Sequence, residues 1–147
     1  MKAFNALLLT IALGLGASHA LADDEPDLID TMGQLQLFLH KLSLSVNAGN
    51  VELADFYAHE LEEAIEAAES IEAYHDIPVG RLTSSILTPT FELLEDALDS
   101  GDPDAIGPRL RGVISSCNGC HDATGYGFIR IAPNDANPYM QTFEPDN

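Results

Sequence analysis

The sequence predicts an all-α protein, an up-down-up-down four-helix bundle followed by an irregular C-terminal tail. Apolar residues recur every three or four positions over four long stretches, which is the spacing of one helix face. Strand-like alternation of apolar and polar residues is nearly absent. Short connections that contain glycine, asparagine or proline separate the stretches, so consecutive helices are expected to be antiparallel neighbours.

The first two predicted helices are joined by a very short connection. The first covers residues 26–48; Gly49 is suited to end it and Asn50 to cap the next helix. The second covers residues 51–74 and ends before Pro78, because the residue preceding a proline is biased away from helix. Their apolar stripes contain Leu28, Met32, Leu35, Leu39, Leu42 and Val46, and then Leu53, Tyr57, Leu61, Ala64, Ala68 and Ile71.

Prolines mark the last two predicted helices. The third covers residues 79–100, and Pro89 is expected to kink or divide it because proline has no backbone N–H to donate. The fourth is capped by Asp102, bends or restarts at Pro108 and ends at Gly125. Their inner faces contain Ile86, Leu87, Phe91, Leu94 and Leu98, and then Ile106, Leu110, Val113 and Cys117.

The first 22 residues are predicted to be a secretory signal peptide. A basic residue precedes an apolar run over residues 6–17, and a small-residue cleavage site ends at Ala22. The run is shorter than the ~20 residues of a membrane span, so a retained membrane anchor is the weaker alternative. Cleavage after Ala22 would place the protein in the periplasm, with a helical domain over residues 23–125, a tail over residues 126–147 and no membrane span.

The composition is strongly acidic. The chain has 24 Asp and Glu against six Lys and Arg, which gives a formal net charge of −18. Such a field repels nucleic acid and favours a basic protein partner. Solubility, or adaptation to a salty medium, is the alternative explanation.

The sequence Cys117-Asn118-Gly119-Cys120-His121 contains both cysteines of the chain. A disulfide across two intervening residues closes almost no loop, so it would stabilise the fold very little. C-x-x-C-H is instead the attachment motif of c-type haem. The two thiols would form thioethers with the vinyl groups of one haem, and His121 would be an iron ligand.

Two other uses of this motif are less consistent with the sequence. A thioredoxin-like redox pair usually lies within a βαβ pattern, and no strands are predicted here. A structural zinc site normally has four protein ligands, and only one C-x-x-C pair with one adjacent histidine is present.

With this motif on the last of four helices, the chain resembles the class II c-type cytochromes, which include the cytochromes c′ and the low-spin cytochromes c-556. The resemblance covers residues 27–124 and is specific only at residues 117–121. It implies a haem site near the end of the fourth helix and dimers that form through the first two helices. The chain departs from the family in its long tail, where residues 125–129 could cover the haem edge.

Met32 is the predicted sixth ligand of the iron. In an up-down bundle the start of the first helix lies level with the end of the fourth, and Met32 is on the inward stripe there. The resemblance also implies a distal residue in this part of the first helix. Core packing is the alternative role of Met32, and the other ligand candidates are His40, His59, His75 and Met140.

Arg81 is expected at the haem level, where it could pair with a haem propionate. An ordinary exposed arginine is the alternative. Further candidates for this role are Arg109, Arg111 and Arg130.

The predicted function is that of a periplasmic one-electron carrier with one covalent haem c. No distal acid–base pair is recognisable, so no enzymatic activity is predicted. One alternative is a five-coordinate protein, like the cytochromes c′, that binds nitric oxide or carbon monoxide, with Leu28, Leu35 or Phe38 on the distal side. A haem subunit of a larger redox complex is the other alternative.

Overall fold

The computed structural model describes residues 27–145, so the predicted signal peptide lies outside the described residues. No β-strand occurs between residues 27 and 145, and the all-α class is confirmed for this part of the chain. Four long helical segments are present, the third of which is continuous through a π-helical turn. The elements are α1 (Leu28–Ala48), α2 (Val51–Ser70), α3 (Val79–Leu82), the π segment (Thr83–Leu87), α4 (Thr88–Ser100) and α5 (Pro103–Ala123).

Side-chain and glycine caps define the helix ends. The Asp27 carboxylate accepts hydrogen bonds from the first turn of α1, and Asn50 and Asp102 do the same for α2 and α5. Gly49 and Gly101 end α1 and α4 with φ angles of 70° and 65°, a left-handed backbone that glycine adopts without steric cost. The predicted end of the first helix at Gly49 and the predicted caps Asn50 and Asp102 are therefore confirmed.

Helix α2 ends at Ser70, earlier than the predicted Tyr74. Tyr74 and Ile77 exchange two backbone hydrogen bonds of 2.9 Å, which close a tight turn. His75 and Asp76 lie inside this turn at φ angles of 47° and 66°. The turn provides hydrogen-bond partners for the N–H and C=O groups of Tyr74 and Ile77, which a longer helix would otherwise provide. The apolar periodicity of the sequence does not predict this turn.

The π segment lies directly before Pro89. The disturbance expected at this proline is present as a division of the α-helix: the chain stays helical, but over Thr83–Leu87 its hydrogen bonds span five residues instead of four. Pro108, by contrast, does not interrupt α5. This proline is exposed, so a carbonyl that loses its intrahelical partner there can bind water.

The core forms along the predicted apolar stripes. Its most deeply buried large side chains are Leu42, Leu61, Phe91, Leu94 and Val113. Helix α1 packs mainly on α2, and α4 packs mainly on α5, whereas α1 and α5 meet only sparsely. A space therefore remains between α1 and α5. No helix within residues 27–145 combines the length and the apolar character of a membrane span.

The tail (residues 126–147, described to residue 145) lies across α1 and α2. Phe143 is only 6% exposed and packs beside the rings of Tyr57 and Tyr139. The Lys41 ammonium lies 5.0 Å from the centroids of both tyrosine rings, in cation–π geometry. These contacts anchor the far end of the tail on the bundle.

Replacing Gly80 with alanine is expected to destabilise the fold by about 1–3 kcal/mol. A Cβ atom at this position would clash with the backbone carbonyl of Glu69, and the Gly80 N–H donates to the Ile71 carbonyl at 2.8 Å. Gly112→Ala is the matched control, because a Cβ there meets no atom within 4 Å and alanine favours helix. Urea unfolding of both variants measures the difference, and equal stabilities would contradict the packing described here.

Replacing Glu95 with glutamine is expected to stabilise the fold at neutral pH by less than about 1 kcal/mol. Burial, and then the charges of Glu62, Asp99, Glu92 and Asp96, raise the pKa of Glu95 in the folded state. The folded chain then binds the proton more tightly than the unfolded chain. The stability that this group contributes is thus greatest at acidic pH and is lost as pH rises through the raised pKa.

Thermal melts between pH 4 and pH 8 test this expectation. The gain in melting temperature from Glu95→Gln should grow as pH rises. Glu66→Gln removes one charge from an exposed position of α2 and serves as the control. A gain that is the same for both variants at every pH would contradict the prediction.

Candidate cofactor site

The motif residues lie on the last turns of α5. Cys117, Cys120 and His121 are separated by three and four positions, so helical geometry places them on one face. Both cysteines are free thiols and half-buried, and His121 is half-buried as well. The three side chains of the predicted attachment motif therefore project from one face of a regular helix.

An apolar cavity of about 300 Å³ lies beside this face, between α1 and α5. Helices α1, α2 and α5, the π segment and the tail all contribute to its walls. Among the residues predicted for the site, Met32, Cys117, Cys120 and His121 line it. The other lining residues are Ile29, Gly33, Leu35, Gln36, Leu39, Leu61, Thr83, Leu87, Val113, Ile129 and Ile131.

A second, more polar cavity of about 490 Å³ lies beside the first. The two share Gly33, Gln36, Leu39 and Ile131 as wall residues. Its own walls include His40, Tyr139 and Arg130, which come from α1 and the tail. The apolar cavity therefore opens beside a polar region that contains a guanidinium group.

The imidazole of His121 is held by the tail. Its Nδ1 atom lies 2.9 Å from the carbonyl oxygen of Ile129. A carbonyl can only accept a hydrogen bond, so Nδ1 carries the proton and donates it. In the neutral ring Nε2 then keeps its lone pair, which is the form in which histidine binds a metal.

Burial changes the chemistry of the two thiols. It raises the pKa of the Cys117 thiol to about 11 and also raises the pKa of the Cys120 thiol. Both groups are therefore thiols rather than thiolates at neutral pH. A nucleophilic C-x-x-C pair has a lowered pKa, so this environment differs from that of a dithiol oxidoreductase.

The other candidate iron ligands do not line the apolar cavity. Both ring nitrogens of His40 form hydrogen bonds of 3.0 Å, one with the Tyr139 hydroxyl and one with the Asn134 carbonyl. His59 is exposed beside two glutamates, His75 is exposed in the turn after α2, and Met140 is fully exposed. Within the described residues, Met32 is the methionine that shares the cavity with His121.

Arg81 is exposed at the start of the third helical segment and does not line either cavity. Its pairing with a propionate stays a prediction. Arg109 and Arg111 are also exposed. Arg130, by contrast, lines the polar cavity and pairs with Asp122 at 3.0 Å.

Asn118, Ile129 and Ile131 were not predicted individually as site residues. Ile129 and Ile131 belong to the tail, whose path cannot be predicted from any periodicity in the sequence. Ile129 is part of the segment 125–129 that was expected to cover the site, but it has no individual role in that expectation. Asn118 occupies a variable position of the motif, yet its side chain pairs twice with the backbone of Ile131. No sequence signal distinguishes it from a solvated asparagine.

No protein-family model, curated protein or solved structure matches the chain. Across residues 27–145 no group of three or more His, Cys, Asp or Glu side chains is arranged to hold a metal ion. A haem iron does not need such a group, because the porphyrin nitrogens supply its equatorial ligands and the protein supplies only the axial ones.

Proposed function

We propose that the protein is an exported monohaem c-type cytochrome that acts as a one-electron carrier. One observation carries the proposal: both thiols of the C-x-x-C-H motif, the adjacent histidine and a methionine from another helix line a single apolar cavity. The haem would supply a one-electron iron couple. Cys117 and Cys120 would hold it covalently, with His121 as the proximal ligand.

The chemistry of these residues fits the group. Thioether formation consumes thiols, and both cysteines are free. His121 presents Nε2 because its Nδ1–H donates to Ile129, and this bond also makes the ring a stronger donor to a metal. Apolar walls beside the histidine would favour the reduced, less charged form of an iron centre.

Met32 supports an electron carrier rather than a ligand-binding protein. Its thioether belongs to the same cavity as His121, and α1 carries it opposite α5. Methionine–histidine ligation is typical of electron-transfer cytochromes and raises the reduction potential. Met32 would then be the sixth ligand and would leave no open coordination position.

An up-down-up-down order of the four helical segments is part of the proposal. The two-residue connections Gly49–Asn50 and Gly101–Asp102 favour antiparallel neighbours. Such an order brings the start of α1 and the end of α5 to one end of the bundle. Residues 23–125 would form the haem domain, and the tail would cover the site.

Export to the periplasm follows from the predicted signal peptide, with cleavage after Ala22. The net charge of −18 favours a basic redox partner, and electron transfer to it should slow as salt screens the attraction. The family resemblance adds a homodimer through the first two helices.

A gas-binding protein is the second candidate. Ile29 and Leu35 line the cavity on the same helix as Met32, and such apolar side chains would allow a small diatomic ligand to approach the iron. This function requires that Met32 does not bind the iron.

Optical spectra of the oxidised and reduced holoprotein, with and without carbon monoxide, distinguish the two candidates. The electron-carrier proposal expects a low-spin spectrum that carbon monoxide leaves unchanged. A high-spin spectrum that shifts on addition of carbon monoxide would contradict it and favour the gas-binding function.

A further inference from the structure

Two side-chain hydrogen bonds tie the start of the tail to the middle of the C-x-x-C-H motif. The Asn118 amide donates from Nδ2 to the Ile131 carbonyl at 2.8 Å, and the Ile131 N–H donates to Asn118 Oδ1 at 2.9 Å. Both backbone polar groups of Ile131 are therefore bound by one side chain. This pairing fixes the position and the orientation of that residue on α5.

The other end of the same short segment is also fixed to α5. The Tyr126 N–H donates to the His121 carbonyl at 2.8 Å, and the Ile129 N–H donates to the Tyr126 carbonyl at 2.8 Å, which closes a turn. Between them, the exposed guanidinium of Arg130 pairs with Asp122. An exposed pair of this kind adds little, so the bonds of Asn118 are the stronger restraint.

The Ile129 carbonyl lies between these two anchors, and it is the group that accepts the Nδ1–H of His121 at 2.9 Å. A hydrogen bond of this type requires its acceptor at a fixed position, because its strength falls steeply with distance and angle. A tail segment attached only at Tyr126 would leave the carbonyl free to turn towards solvent.

We propose that Asn118 is a positioning residue for the proximal histidine. By pinning Ile131, it holds the Ile129 carbonyl on His121 Nδ1, and so fixes both the tautomer and the orientation of the ring. The inference deepens the proposed haem function and rests on it for its consequence at the iron. The tail thereby does more than cover the cavity, because it supplies the acceptor on which the donor strength of His121 depends.

Three variants of the exported full-length chain test the proposal. Asn118→Ala removes both bonds to Ile131, and Asn118→Asp keeps the acceptor while it loses the donor. Asn47→Ala is the matched control, because Asn47 also bonds the tail, through Asp135 at 3.0 Å, but does so far from His121 in the chain. A thermal melt of each variant establishes that it is folded.

The first readout is the Nδ1–H proton of His121, observed by NMR in ¹⁵N-labelled protein with the haem iron reduced and diamagnetic where haem is present. We expect exchange of this proton with solvent to quicken about tenfold in Asn118→Ala, the factor that a lost hydrogen bond of ordinary strength allows. Asn118→Asp should also quicken exchange, because its carboxylate has no donor for the Ile131 carbonyl, and Asn47→Ala should show no effect. Exchange in Asn118→Ala that matches the Asn47→Ala control would overturn the proposal.

The second readout is the midpoint potential of the haem-loaded variants. A weaker Nδ1–H bond makes the ring a poorer donor to ferric iron, so the potential of Asn118→Ala should rise. A tenfold change in the relative affinity for the two oxidation states corresponds to ~59 mV for one electron. An unchanged potential would contradict the inference about Asn118 but not the proposed cytochrome function. A parent chain that carries no haem would contradict the proposed function, and the proton-exchange measurement would then test the role of Asn118 by itself.

Discussion

Replacing both Cys117 and Cys120 with serine is expected to abolish covalent haem attachment in the exported protein. Serine is close to cysteine in size but cannot form a thioether, and the two thiols on the face that borders the cavity are the proposed attachment points. We expect haem to separate fully from the variant chain under denaturing conditions, whereas it stays with the parent chain. Denaturing electrophoresis with haem detection measures this.

The control for this experiment is Ser115→Ala, a change at an exposed position of the same helix. It should leave the haem fully attached. Each single cysteine variant should retain one attachment point and show reduced haem content. Covalent haem in the double variant would show that other residues hold the group and would contradict the assignment of Cys117 and Cys120.

Replacing Met32 with leucine is expected to convert a low-spin iron centre into a high-spin one. Leucine conserves the side-chain volume, so the fold should lose less than about 1.5 kcal/mol of stability. The sulfur that would bind the iron is removed, however. The near-infrared band of methionine–iron charge transfer should disappear, and the reduction potential should fall because the methionine that raises it is gone.

Met140→Leu is the matched control, because Met140 is fully exposed in the tail and does not line the cavity. It should leave both the spectrum and the potential unchanged. A Met32→Leu protein that stays low-spin would exclude Met32 as the sixth ligand. His40 would then be examined next, because it lines the neighbouring cavity, although its ring nitrogens already have hydrogen-bond partners.

Features that arise from local chemistry could be predicted from the sequence. Asn50 and Asp102 cap their helices, and Gly49 ends α1, because these residue types satisfy or relieve the backbone at helix ends. The apolar stripes identify the core for the same reason, since helical periodicity decides which side chains share a face. The motif spacing likewise places its two thiols and its histidine on one face of α5.

Features that depend on particular turns and on the path of the tail could not be predicted. Helix α2 stops early because Tyr74 and Ile77 pair across a turn, and apolar spacing carries no record of such pairing. Pro89 indicates a disturbance of the third helix, but the residue type does not specify that it takes the form of a π-helical segment over Thr83–Leu87. The contacts of Asn118 and Ile129 depend on the path of the tail, which has no sequence periodicity from which it could be predicted.

The pairing of Arg81 with a haem propionate stays a prediction. It rests on the position of Arg81 along the bundle, which does not determine the direction in which a side chain points. In the structure Arg81 is exposed, and Arg130 from the tail lines the polar cavity. If haem occupies the apolar cavity, Arg130 is the better placed of the two to meet a propionate.

The intact mass of the exported chain tests the central claim most directly. The protein would be produced in a bacterial host with a working system for c-type cytochrome maturation and purified from the periplasm. The proposed function predicts the mass of residues 23–147 plus one haem, with no free thiol available to alkylating reagents under denaturing conditions. The mass of the chain alone, with Cys117 and Cys120 both open to alkylation, would contradict it.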